Sequence, residues 1–293
     1  MIKRVLSVVC IVMLLLTSVI SVVIAAENTD SIVMWDGTQS APQGEGTEEN
    51  PYLITKGSEL SYVVRQSAEE TAGKYYVITE DIYLLDRLNA VTYDENGYVS
   101  ALSNYPWPSG NGAISDNRIN DYGVFAGNID GQGHTVFGFN NDWVLSWSGE
   151  TPLYWGLFGK LGDNATVKNI NIDSAYCKLS DSLAYAGAIA GHVIGNNVTI
   201  QGCTVSRTNL HSNNWTNTIV GGLVGKNYGA NLTVKNCSSD FLMNSGNGNS
   251  FVGNSADEGE NATISNSWSN KSKTQYGKDT NITYVDSYTG VDV

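Results

Sequence analysis

Between Asn164 and Ser267 the chain writes one seven-residue unit four times: Asn, an apolar residue, Thr, Val or Ile, a variable residue, Asn or Gly, and then Ile, Cys or Ser. The copies are Asn164-Ala-Thr-Val-Lys-Asn-Ile170, Asn197-Val-Thr-Ile-Gln-Gly-Cys203, Asn231-Leu-Thr-Val-Lys-Asn-Cys237 and Asn261-Ala-Thr-Ile-Ser-Asn-Ser267, and they start 33, 34 and 30 residues apart. Repeats of this size bury their apolar face only against their neighbours, so they restrict the chain to a coiled, stacked architecture. Ala165 and Val167, with their equivalents, alternate with Thr166, which predicts a short half-buried strand in each copy. Such a unit is too short for a helix. The sixth place holds only Asn169, Gly202, Asn236 or Asn266, the residue types that accept a left-handed backbone at least cost, so each strand is predicted to end in the same tight turn.

A second element precedes each copy: Trp155-Gly-Leu-Phe-Gly159, Gly187-Ala-Ile-Ala-Gly191, Gly221-Gly-Leu-Val-Gly225 and a degraded Asn249-Ser-Phe-Val-Gly253. Small residues at Gly156, Ala188, Gly222 and Ser250 are predicted to let successive coils approach closely, and the closing glycine to open a bend. Stacked at about 4.8 Å, these segments make a continuous ladder over a shared core. The economical fold is an all-β, parallel β-helix.

These residues also carry a family resemblance. Gly221-Gly-Leu-Val-Gly-Lys-Asn227 resembles the GLUG motif of bacterial surface proteins, and Gly46-Thr-Glu-Glu-Asn-Pro-Tyr-Leu-Ile54 is similar to the segment that leads into such repeats. Asp130-Gly-Gln-Gly-His-Thr-Val136 resembles an early coil of the pectate-lyase-like β-helices. The resemblance covers about Trp35 to Asn270 and implies a right-handed β-helix on a secreted or surface protein, for which adhesion is the usual inference. Handedness follows from the resemblance, not from the spacing.

Residues 1–26 read as a secretory signal: Lys3 and Arg4, an apolar run from Val5 to Val23, and Ala25-Ala26 at the exit. A retained transmembrane anchor is the alternative, while Cys10 lies too early for a lipid anchor. Residues 27–50 are then a leader and 51–293 a single domain, with the repeats over about 153–270. Removing Lys3 and Arg4 takes the formal charge from −13 to −15, with 14 basic residues left against 29 acidic. That balance excludes nucleic acid and anionic membrane as partners and leaves insertion into a membrane without a segment to perform it. Three of the four cysteines remain, an odd number that cannot form a complete disulfide framework. Cys203 and Cys237 share the place of Ile170 and are predicted to stack inward, as buried thiols or as an inter-coil disulfide. Cys177 lies outside that stack and is predicted to be exposed. The histidines His134, His192 and His211 are scattered, so no metal or other cofactor is expected.

Before the repeats, Thr55 or Ser58 is predicted to cap a short helix reaching about Ala68, with Leu60, Val63 and Val64 on one face, that covers the first coil. Tyr75 to Leu85 reads as strand. Two long surface loops follow, Arg87 to Asp121 and Asn140 to Pro152. Ile282-Thr-Tyr-Val285 gives a last strand, and nothing beyond it reads as a cap. Covering that end would take end-to-end or side-to-side association, a further stretch of chain, or the last strand folding across it.

Three functional readings remain open. The aromatics Tyr105, Trp107, Trp143, Trp147 and Trp215 sit in polar loops, where flat rings suit stacking on a polysaccharide or cell-surface glycan. Alternatively, the same tryptophans pin their own loops, as Trp155 and Trp268 are expected to do within the repeats. An enzyme reading rests on Asp173, Ser206 and Asp240 in one column, with Arg207 beside them. Two coils would hold the acids about 9 to 10 Å apart, near the spacing that glycoside hydrolysis uses. A surface salt-bridge ladder explains the same residues, and Asp130 reads as a turn former. A third reading is a spacer or coat component. Of the eight Asn-x-Ser/Thr patterns, at Asn164, Asn197, Asn214, Asn231, Asn236, Asn261, Asn270 and Asn281, four are the repeat itself, and the pattern is read as structural, not as glycosylation.

Overall fold

A computed structural model of the chain describes residues 32–85, 91–102, 123–141, 152–179, 184–212, 218–244, 248–254, 260–270 and 281–289. Met34–Val293 forms one compact unit and Met1–Val33 a second, of which Ile32 and Val33 are described. The expected signal, 1–26, lies outside the described residues. The segment read as a leader, 27–50, joins the compact unit from Met34 onward: Trp35 is buried, Met34 bridges Tyr83, and Gln43 bridges Leu53.

The architecture is all-β, and the chain visits four parallel sheets in a fixed order before returning to the first. One such circuit runs from Thr166–Lys168 in sheet I, through Asn171–Asp173 and Tyr176–Leu179 in sheet II and Ala184–Ala186 in sheet III, to Ala190–Val193 in sheet IV. The next circuit begins at Thr199–Gln201, which pairs in register with Thr166–Lys168. Sheet I alone runs through eight strands, from Tyr52–Ile54 to Ile282–Val285. One outward column along it reads Asn128, Thr166, Thr199, Thr233, Thr263 and Thr283, each paired to the next. The inward column beside it, Ile129, Val167, Ile200, Val234 and Ile264, is fully buried. This is the alternation that the seven-residue unit predicts, and it contributes to the main core.

The predicted turn is present in every copy: Asn169, Gly202, Asn236 and Asn266 have φ of 54°, 64°, 54° and 45°. The opening asparagines Asn164, Asn197 and Asn231 are left-handed as well, at 59°, 57° and 62°. Their side chains join coil to coil. Asn231 Nδ2 donates to Asn197 Oδ1 at 3.0 Å, and Asn266 Nδ2 donates to Asn236 Oδ1 at 2.8 Å. The amide therefore serves twice, accepting the turn geometry and bridging coils.

The glycine-rich element divides its labour differently from the prediction. Gly156 and Gly222 do allow close approach, since a methyl would lie 2.4 Å from Gly187 O at the first and 2.1 Å from Ser239 Oγ at the second. The closing glycines, however, open no bend: they lie within or beside the sheet IV strands, where the sheet III backbone presses on them. A methyl on Gly191 would come within 2.5 Å of the Trp155 amide nitrogen, and one on Gly253 within 2.6 Å of Val220 O.

Several local expectations are corrected. The helix spans Gly57–Val64, with Leu60, Val63 and Val64 buried, but its N-cap is Lys56, without a side-chain cap. Thr55 instead donates its N–H and hydroxyl to Glu59 Oε2, at 2.8 and 3.0 Å. A second short helix, Ala68–Thr71, follows Ser67, which forms a reciprocal capping box with Glu70. The span read as the first loop contains an antiparallel hairpin, Val91–Tyr93 with Val99–Leu102, and the second begins in a strand, Asn140–Asn141, paired with Tyr176–Cys177. Cys177 is fully buried, not exposed: its strand places it beside Leu210, with its side chain in the main core. Cys203 and Cys237 are buried free thiols. The last strand continues sheet I beside Ala262–Ser265 and does not fold across the end.

Candidate functional site

The carboxylates of the proposed acid column are already engaged. Asp173 pairs with Ser206 across the sheet II register. One coil on, a bulge between Val205 and Thr208 sets Asp240 against two residues, Ser206 and Arg207. Arg207, with φ of 49°, turns its guanidinium back onto Asp173. Its Nε donates to Oδ1 at 2.8 Å and its Nη2 to Oδ2, a bidentate pair that holds the Arg207 pKa up. Asp240 accepts from Tyr98 Oη at 2.5 Å and from Asn270 Nδ2 at 2.7 Å. Burial, with the Asp240 hydrogen bond next, pushes the Tyr98 phenol up to about 12.

Tyr98 reaches this column because the hairpin lies across it. Val99 is fully buried, and its carbonyl accepts from Asn209 Nδ2 at 2.9 Å. Tyr93 Oη lies 2.9 Å from Ser174 Oγ, and the Arg207 guanidinium sits over the Tyr93 ring, 5.4 Å from its centre. The hairpin therefore straps successive coils together over Asp173, Arg207 and Asp240. Asp130 behaves as a turn former: burial opposes its charge, but hydrogen bonds from Gln132, Asn169 and Lys168 hold its pKa below the ordinary value.

Tyr105, Trp107, Trp143, Trp147 and Trp215 all lie outside the described residues. Of the tryptophans read as structural, Trp155 is buried and stacked on Phe139, ring centres 4.8 Å apart, and Trp268 is half-buried.

A different cluster stands where sheets III and IV meet. On sheet IV, Lys160, His192 and Lys226 form one register column, and all three are buried. From sheet III, Tyr154 stacks on the His192 ring at 5.0 Å and 19° and Tyr185 meets it edge-on at 5.3 Å, while Tyr228, just after the sheet IV strand Val224–Asn227, meets it edge-on at 4.8 Å. Lys160 Nζ lies over Tyr154 and Lys226 Nζ over Tyr228, at 4.9 and 4.3 Å. Lys226 also lies 3.9 Å from Glu260. His192 is 4% exposed, and among the described residues neither ring nitrogen has a hydrogen-bond partner. Burial, helped by the two ammoniums, lowers its pKa to about 3, so the ring is neutral. The sequence held a signal for this cluster: Lys160, His192 and Lys226 each follow the closing glycine of their repeat.

Among the described residues, no group of three or more His, Cys, Asp and Glu could hold a metal, and no helix is long and apolar enough to cross a membrane. Compared with known proteins, the chain is 31% identical over 162 residues to a protein of Evansella cellulosilytica named as a Gly-rich membrane protein, covering 54% of this chain and 15% of that one. It is 28% identical over 194 residues to halomucin of Haloquadratum walsbyi, covering 65% of this chain and 2% of that one. The chain thus spans a small part of each relative. No family model matches it, and no solved structure matches it.

Proposed function

We propose that this chain is a secreted or cell-surface protein, a right-handed parallel β-helix that works without catalysis, in adhesion or glycan binding. The observation that carries this reading is the engagement of both candidate carboxylates. Asp173 is gripped by Arg207, and Asp240 is held by Tyr98 and Asn270. A glycosidase needs one carboxyl free to deliver a proton and a second open to the sugar or its water. The parallel circuits support the β-helix, and the buried face of Gly57–Val64 supports a helical cap over the first coil. A relative named as a membrane protein agrees with an envelope or exported location.

The test incubates the chain from Glu27 onward with plant, host and bacterial polysaccharides, scoring retention and new reducing ends together. Retention without new ends is the expected result. New ends that disappear in Asp173→Ala would make the chain an enzyme, and neither signal would leave it a spacer.

A further inference from the structure

His192 is a costly residue for a purely structural place. A neutral imidazole carries one donor and one acceptor, and leaving both unpaired in a buried site costs about 1–3 kcal/mol. A phenylalanine, slightly larger, would keep the stacking on Tyr154 and avoid that cost. The ring instead faces three tyrosines, with a lysine one coil away on each side.

The missing partner must both donate and accept. A hydroxyl does both, whereas a carboxylate or sulfate only accepts and would leave one ring nitrogen unanswered. Aromatic faces complement the apolar face of a sugar ring, and ammonium groups donate to its oxygens. Glu260 beside Lys226 already offsets part of the local positive charge, and the net charge of −13 opposes the approach of acidic polymers. Tyr228, 46% exposed, is the wall that an arriving ligand meets first.

We propose that the corner around His192 is a binding site for a neutral saccharide, whose hydroxyls pair with the imidazole nitrogens and the Lys160 and Lys226 ammoniums and whose apolar face lies against Tyr228. This rests on the glycan-binding reading and assigns the binding to residues other than the loop tryptophans.

The test is affinity electrophoresis of the chain from Glu27 through gels containing dextran, laminarin, xylan or mannan, with polygalacturonate and dextran sulfate as acidic counterparts. A neutral polymer should retard the wild type. His192→Phe should weaken that retardation about tenfold or more, the loss of one or two hydrogen bonds, without lowering the thermal midpoint. Tyr228→Ala, a change at an exposed ring, should weaken it too and guards against a folding failure of the first variant. The combined Trp107→Ala, Trp143→Ala and Trp147→Ala variant should still be retarded. Unchanged retardation of both corner variants would overturn the site, as expected if water alone fills the hydrogen bonds, and would leave glycan binding standing. Retardation by the acidic polymers alone would overturn the ligand class. No retardation by any polymer would sink this proposal together with the glycan-binding reading.

Discussion

Gly225→Ala tests how tightly sheets III and IV are pressed together. A methyl at Gly225 would lie 2.5 Å from the Ala186 amide nitrogen, 2.5 Å from Gly191 O and 2.7 Å from the Tyr185 carbonyl carbon. All three atoms are backbone, so no side-chain rotation relieves the clash. The neighbouring coils cannot give way freely, because they are packed as closely: a methyl on Gly191 or Gly253 would itself lie 2.5 or 2.4 Å from backbone. Overpacking a core costs about 1–3 kcal/mol where side chains can shift, and with only backbone to move the cost belongs at the upper end, about 3 kcal/mol. For a chain of this size each kcal/mol moves the thermal midpoint by about 2–4 °C, giving a drop of about 6–12 °C. Gly97→Ala is the control. Its φ of 83° strains any side chain, but nothing lies within 4 Å, so it should cost only the conformational term of about 1–2 kcal/mol. Thermal unfolding followed by circular dichroism compares the two variants with wild type. A Gly225→Ala midpoint within about 2 °C of wild type, or below-wild-type melting led by Gly97→Ala, would refute the close-approach argument.

Three further outcomes follow from the same geometry. Because His192 titrates near 3 when folded and near 6.5 when unfolded, the unfolded chain binds an extra proton between those values. Stability should therefore fall on acidification from pH 6.5 towards 3, by up to about 1.4 kcal/mol per pH unit from this group. Denaturant titrations of wild type and His192→Phe should diverge in that window, and parallel pH curves would refute the assignment. Tyr98→Phe removes a hydrogen bond to a carboxylate that keeps Asn270 as partner, so it should cost about 1 kcal/mol and speed amide exchange across Val91–Leu102 while sheet I stays protected. Unchanged exchange in the hairpin would show that Tyr98 does not fasten it. Cys177, Cys203 and Cys237 are buried free thiols, and burial pushes the Cys177 thiol well up. A thiol reagent should find none of them in the native chain and all three in denaturant; a count of one would mean an inter-coil disulfide.

The parts of the molecule visible in the sequence are those that every coil repeats. Alternation around Thr166 gave the sheet I strand, and the restriction of one place to Asn or Gly gave its left-handed turn, because both are set by local backbone sterics. The closing glycines were visible as glycines, but their purpose was not. A bend and a close contact both call for the absence of Cβ, and only the approach of another coil distinguishes them. The hairpin was hidden by its length: its strands offer three and four residues, and Asn96-Gly97 was the available signal in a stretch otherwise without periodicity. The burial of Cys177 is not legible in the sequence because its partner, Leu210, is 33 residues away and set by register. The His192 corner combines two sheets, so no single segment displays it. Aligning the repeats at the residue after each closing glycine would have shown one of its two columns.

The fold requires coils to stack in register along sheet I. Nitroxide labels at Asn128 and Thr263, and in a second sample at Asn128 and Thr283, measure that stack by dipolar spectroscopy. These positions are four and five register steps apart on one outward column. At about 4.8 Å per step, the backbone separations are about 19 and 24 Å. Peak distances that differ by about 5 Å between the two samples are the predicted result, and equal distances, or a difference well above 10 Å, would contradict the stacked-coil account.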